Sequence, residues 1–157
     1  MFKRTKLKDK VKILLVDEMN DLQSQIAEYF ILEMYGDMYD VHSAGPRFDH
    51  IDCELISVMY QLGYDIRAWG SKDFKDKRIP GKLDYIVFME KATYDRIGKI
   101  IPWDAPQILY DFGRKNNFEQ ATDDLELYEC YKVLIEKIRV WVEETFADPD
   151  GLRSMVA

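Results

Sequence analysis

The chain has 157 residues, of which 47% are hydrophobic, 13% aromatic and 32% charged, with a formal net charge of -7; one hydrophobic core fits that length and two do not. The acidic balance excludes general nucleic-acid binding, which draws its affinity from clustered Lys and Arg. The longest apolar runs fall well short of the roughly 20 residues that span a bilayer, so no membrane partner is expected.

In chain order, residues 1–10 form a basic tail carrying Lys3, Arg4, Lys6, Lys8 and Lys10. No apolar stretch with a cleavage site follows it, so export is not expected. The run from Val11 to Val16 is short, β-branched and nearly all apolar, which is the pattern of a strand buried on both faces. Gln23 to Tyr35 carries Ile26, Ala27, Phe30 and Met34 at helical spacing and stops at Gly36. A second strand is expected from Tyr39 to Ser43, with Ala44, Gly45 and Pro46 as its turn. A second helix is expected from Ile51 to Leu62, ending at Gly63. Residues 71–82 read as a polar loop or short helix and Tyr85 to Met89 as the clearest buried strand. A short helix (Ala92 to Ile97), a short strand (Gln107 to Tyr110) and a long amphipathic helix (Asp124 to Phe146) complete the chain. Strands alternating with helices imply right-handed crossovers and a parallel sheet covered on both faces. The expected organisation is one α/β domain over residues 11–147, with 148–157 as a C-terminal tail.

Cysteine is confined to Cys53 and Cys130. Neither a disulfide framework nor a cysteine metal site fits that spacing, and a reducing cytoplasm is the expected setting. His42 and His50 have no ligand spacing with a third group, so no metal and no cofactor is expected.

In an open α/β sheet, ligands bind beyond the carboxyl ends of the strands, which directs attention to the loop after the first strand: Asp17, Glu18, Met19, Asn20, Asp21, Leu22, Gln23 and Ser24. At this loop the chain resembles the low-molecular-weight protein tyrosine phosphatases and the related arsenate reductases. That family has Cys, five residues, Arg and then Ser or Thr after its first strand; here the same spacing reads Asp17, five residues, Gln23, Ser24. Further resemblance lies in Val41-His-Ser-Ala-Gly45, Leu62-Gly-Tyr-Asp-Ile66, Ser71-Lys-Asp-Phe74 and Leu83 to Glu90. The resemblance implies a three-layer α/β/α fold with a four-stranded parallel sheet in the order 2-1-3-4.

The departures bear on the chemistry. In the family the Cys thiolate is the nucleophile and the Arg grips the oxyanion; Asp17 and Gln23 stand in those places. A carboxylate about 4 Å from a phosphate dianion costs roughly 8 kcal/mol at an effective dielectric near 20. Phosphate or arsenate binding should be weak or absent. Met19 replaces a usual glycine and disfavours backbone that needs φ > 0. The family's general acid maps to Asp111 if Gln107 to Tyr110 is the fourth strand, or to Gln107 if Trp103 to Pro106 aligns with the family's Trp-containing segment; Asp111 is preferred. The family's reductases also need further cysteines after the third strand, and Met89 to Trp103 contains none.

Two local readings complete the loop. The Asp17 carboxylate can occupy the place of the lost ligand against the helix amides, and Asp21 reads as an N-cap. The expected function is that of a catalytically inactive, phosphatase-like binding or regulatory module acting on a protein partner. Alternatives are an enzyme of altered chemistry using Asp17 and Asp111, a Mg²⁺ site of Asp17, Glu18 and Asp21, and a receiver-like signalling domain, for which Lys12 to Glu18 offers a similar opening phrase.

Overall fold

A computed structural model describes residues 9–116 and 118–157, so residues 1–8 of the expected basic tail lie outside the described part. Four strands, β1 (Val11–Val16), β2 (Tyr39–Ala44), β3 (Tyr85–Phe88) and β4 (Gln107–Leu109), form one parallel sheet in the order β2-β1-β3-β4. This is the expected topology. The helices are α1 (Gln23–Tyr35), α2 (Cys53–Gln61), α3 (Lys91–Ile97) and α4 (Asp124–Thr145). Each expected element forms, with ends shifted by a residue or two where caps decide them. The second helix begins at Cys53 rather than Ile51 because the Asp52 carboxylate accepts from Glu54 N at 3.0 Å and Leu55 N at 3.3 Å.

The central strand explains the layering. Ile13, Leu14, Leu15 and Val16 are all fully buried, and their side chains alternate between two cores. Ile13 and Leu15 join Val41, Tyr85 and Val87 under α1, α2 and α4. Leu14 and Val16 join Ala44, Ile86 and Phe88 on the opposite face, against Ile79 and Ile97 of α3. Register follows from this alternation: Leu14 pairs with Ile86 and Leu15 with Val87, so like faces meet across the ladder.

The last ten residues do not behave as the tail expected from the sequence. Residues Pro149–Met155 form a 3₁₀ helix with Leu152 fully buried, Val156 bridges antiparallel to Ile108, and Ala157 N donates to Gln107 O at 2.8 Å. The short β4 would otherwise leave an open edge, and this segment covers part of it. The polar composition of 148–151 concealed the anchor supplied by Leu152. Among the described residues no helix is long and apolar enough to cross a membrane.

Because Leu15 is fully enclosed at the centre of the larger core, Leu15→Ala should lower unfolding stability by about 2–5 kcal/mol without altering the sheet. Urea denaturation monitored by circular dichroism checks the loss.

Candidate functional site

The loop between β1 and α1 is closed by one carboxylate. Asp17 has no exposed surface, and its Oδ2 accepts from Ser24 N at 2.9 Å, Ser24 Oγ at 2.8 Å and Leu22 N at 3.3 Å, while Oδ1 accepts from Asp21 N at 3.2 Å. Helix α1 therefore receives its capping oxygen from Asp17, five residues ahead of Leu22 at its boundary. Leu22 makes no side-chain cap, and Asp21, expected to cap the helix, is turned to an ion pair instead. The cap comes from farther back because the loop folds over the helix axis and aims the Asp17 carboxylate along the free N–H groups.

Asn20 holds the turn. It takes φ 52°, a left-handed conformation that Asn tolerates better than most residues, so the strain expected at Met19 is placed one residue on. Its buried amide donates to Ser24 Oγ at 2.9 Å, and its Oδ1 accepts from Lys72 N at 2.8 Å and Gln25 Nε2 at 3.0 Å. Gly45 lets the second strand's turn approach. A Cβ there would sit 2.5 Å from Asp17 O and 2.8 Å from Glu18 O.

Gln23 is fully buried with Nε2 on Met89 O at 3.2 Å, and its Oε1 lacks a hydrogen-bond partner among the described residues. An amide here offers neither the charge nor the fork of an arginine.

The remaining acids are paired, not solvated. Glu18 turns towards α3, accepting from Thr93 Oγ1 at 2.9 Å and pairing with Arg96. Arg114 inserts between two carboxylates, with Nη1 2.5 Å from Glu90 Oε1 and Nη2 2.7 Å from Asp21 Oδ1. Its neighbour Lys115 lies 2.5 Å from Asp52, which also accepts from Tyr131 Oη at 2.7 Å. The loop after β4 is thereby fastened to the first loop, to the end of β3 and to the cap of α2. Neither Arg114 nor Lys115 figured in the reading of the sequence. The available signal was a basic pair directly after a glycine, Gly113, at the carboxyl end of β4.

Asp111 does not join Asp17. It is exposed, and its Oδ1 accepts from Gly113 N at 2.9 Å, whereas the charged groups bearing on Asp17 are Asp21 and Arg114. Gln107 is part of β4 and donates to Gly98 O at 2.6 Å. Among the described residues no group of three or more His, Cys, Asp or Glu is arranged to hold a metal ion.

Burial, then the charge of Asp21, raises the pKa of Asp17 against the opposing pull of Ser24 and Arg114. Burial likewise raises Glu90, opposed by Arg114. For Arg114, burial works against the charge, but Asp21, Glu90 and Asp17 outweigh it and hold the guanidinium protonated. On the inner face of α1, burial pushes Glu28 up to about 7, with Lys72, Ser43 and Arg78 pulling in the other direction.

No protein-family model matches the sequence and no curated protein matches it, but its fold has clear counterparts. An arsenate reductase in the phosphate-binding state superposes with a TM-score of 0.60 at 18% identity, over 87% of this chain and 97% of the other. Vibrio vulnificus Wzb in complex with benzylphosphonate gives 0.61 at 18% identity, over 86% and 99%. The low-molecular-weight protein tyrosine phosphatase from T. tengcongensis gives 0.59 at 18% identity, over 85% and 96%. The chain has the fold of low-molecular-weight phosphatases and arsenate reductases.

Removing the guanidinium leaves Asp21 and Glu90 facing each other uncompensated, so Arg114→Met should cost about 2 kcal/mol, the pair being partly exposed. Chemical denaturation at low salt reads that loss. A second expectation concerns pH. Glu28 is raised from 4.5 to about 7 in the folded chain, so the folded state holds its proton more tightly than the unfolded state. Its stabilising contribution is full below pH 4.5 and is lost as pH rises through about 7. Glu28→Gln should flatten that fall and, at pH 8, exceed the wild type by up to about 3 kcal/mol; melting profiles between the two limits decide it.

Proposed function

We propose that this chain is a catalytically inactive, phosphatase-like binding or regulatory module that acts in the cytoplasm through contacts with another protein. The observation that carries the reading is the Asp17 carboxylate. It is fully buried and occupies the Ser24 amide and hydroxyl together with the Leu22 amide. Those donors lie at the start of α1, where a helix terminus offers its free N–H groups to an anion. Here the anion is covalently part of the chain.

Two further features support the reading. The cysteines are Cys53, at the start of α2, and Cys130, on α4, so neither stands in the first loop itself. The position after the five-residue spacer is Gln23, whose buried amide is spent on a backbone carbonyl. Among the solved structures with this fold, one holds phosphate and another benzylphosphonate; a comparable oxyanion in this chain would have to displace Asp17 and compete with the paired Asp21 and Glu90. An enzyme relying jointly on Asp17 and Asp111 receives little support, since one is sealed and the other faces its own turn. The receiver-like alternative lacks an Asp at the end of β3, where Met89 and Glu90 stand.

Assays with an aryl phosphate and with arsenate should give background turnover, and inorganic phosphate should produce no saturable shift in the backbone amides of residues 17–24. Robust turnover that disappears in Asp17→Ala would overturn the proposal, as would a saturable phosphate response of those amides.

A further inference from the structure

One buried acid takes no part in the first loop. Glu28, on α1, is 7% exposed and faces β2 at the edge of the sheet. Gly45 N donates outward to Lys72 O at 3.0 Å, and Ser43, two residues earlier on the same side of the chain, turns its N–H to the same edge. That amide and the Ser43 hydroxyl are the groups of β2 that bear on the Glu28 carboxyl. The hydroxyl is buried and completes no hydrogen bond among the described residues. One edge amide is too little to replace the hydration of a carboxylate, whereas a protonated carboxyl needs far less.

The cations that bear on Glu28 belong to a separate segment, residues 70–79. Its first part lies along the edge beyond β2: Asp73 bridges parallel to Gly45, Lys72 N donates to Asn20 Oδ1 at 2.8 Å, and Gly70 O accepts from Gln25 Nε2 at 3.3 Å. Its last residue, Ile79, is buried in the smaller core. The segment is a strap fixed at both ends, and it carries Lys72 and Arg78. Neither is paired with Glu28: among the described residues no ion pair closes on that carboxyl, and Arg78 is held by Asp76 at 2.8 Å. The other elements around Glu28 are already engaged. On α1, Gln25 is spent on Asn20 and Gly70. Helix α4 meets α1 two turns farther on, where Tyr35 Oη donates to Glu143 O at 2.8 Å. On β2, Asp40 and His42 pair with each other on the alternate face.

We infer that Glu28 is a proton-operated latch for this strap: protonated, it leaves residues 70–79 as they lie here, and ionised, it draws the Lys72 ammonium onto itself and resets the strap on the β2 edge. Burial, which raises Glu28 to about 7, places the change near neutral pH. Lys72 is the charge that bears most strongly on the carboxyl, which selects it over Arg78. The inference does not depend on the reading of the Asp17 loop.

Backbone amide spectra of the full chain between about pH 5.5 and about pH 8.5 should show Gly45 and residues 70–79 shifting together, with one midpoint near 7. Glu28→Gln keeps the shape of the neutral form, so it should abolish that transition and hold the wild type's low-pH spectrum throughout. Lys72→Met removes the captured cation and should raise the midpoint by roughly half a pH unit. His42→Asn should leave the transition unchanged, which separates Glu28 from the imidazole on the same strand. A transition that survives in Glu28→Gln or vanishes in His42→Asn, a midpoint indifferent to Lys72→Met, or strap amides that do not respond to pH in the wild type would each overturn the inference.

Discussion

The structure of the site rests on one buried charge. An isolated carboxylate withdrawn from water costs several kcal/mol, and it persists only where hydrogen bonds and opposite charge replace the lost hydration. Asp17 gathers three backbone amides and a hydroxyl within 3.3 Å, with the positive end of α1 behind them. Meeting that requirement fixes much else. The chain must turn back over the helix axis, which places Asn20 at positive φ, and the carbonyls of Asp17 and Glu18 then lie so close to the second strand's turn that only a glycine, Gly45, fits there.

A second constraint follows from the surrounding acids. With Asp17 buried, Asp21 and Glu90 face one another across the loop mouth, and Arg114 is what allows them to coexist. Arg114 itself adopts φ 47°, a conformation tolerated because two ion pairs hold the side chain in place. Lys115 extends the same fastening to Asp52 and Tyr131. The loops after β1 and after β4, which close the carboxyl end of the sheet, thus move together or not at all. Such mutual fastening suits a surface that presents a fixed shape better than a pocket that opens and closes around a small ligand.

Fold and site were legible to different degrees. The burial of Val11 to Val16 on both faces and the helical spacing of α1 and α4 were readable in the sequence, because burial periodicity is imposed residue by residue, whereas the strand order came with the family resemblance. The presence of Asp17 and Gln23 on either side of a five-residue spacer was readable too, since it is a matter of identity at a given spacing. The capping of α1 by Asp17 could be anticipated from the helix dipole. Its corollary, that Asp21 is freed from capping, could not, because two acids four residues apart compete for one set of amides and only the path of the loop decides between them.

The amino-acid sequence by itself therefore determined the elements and the burial of the sheet on both faces, while the strand order followed from the family resemblance that its motifs carry. Tertiary structure alone decided the pairing of charges. Arg114 meets Asp21 across 93 positions and Glu90 across 24, and Leu152 anchors a segment that composition marks as a tail. Local patterns report which face of an element must leave water. They carry no information about which distant charge will neutralise a buried one, because that choice depends on where the sheet brings its loops together.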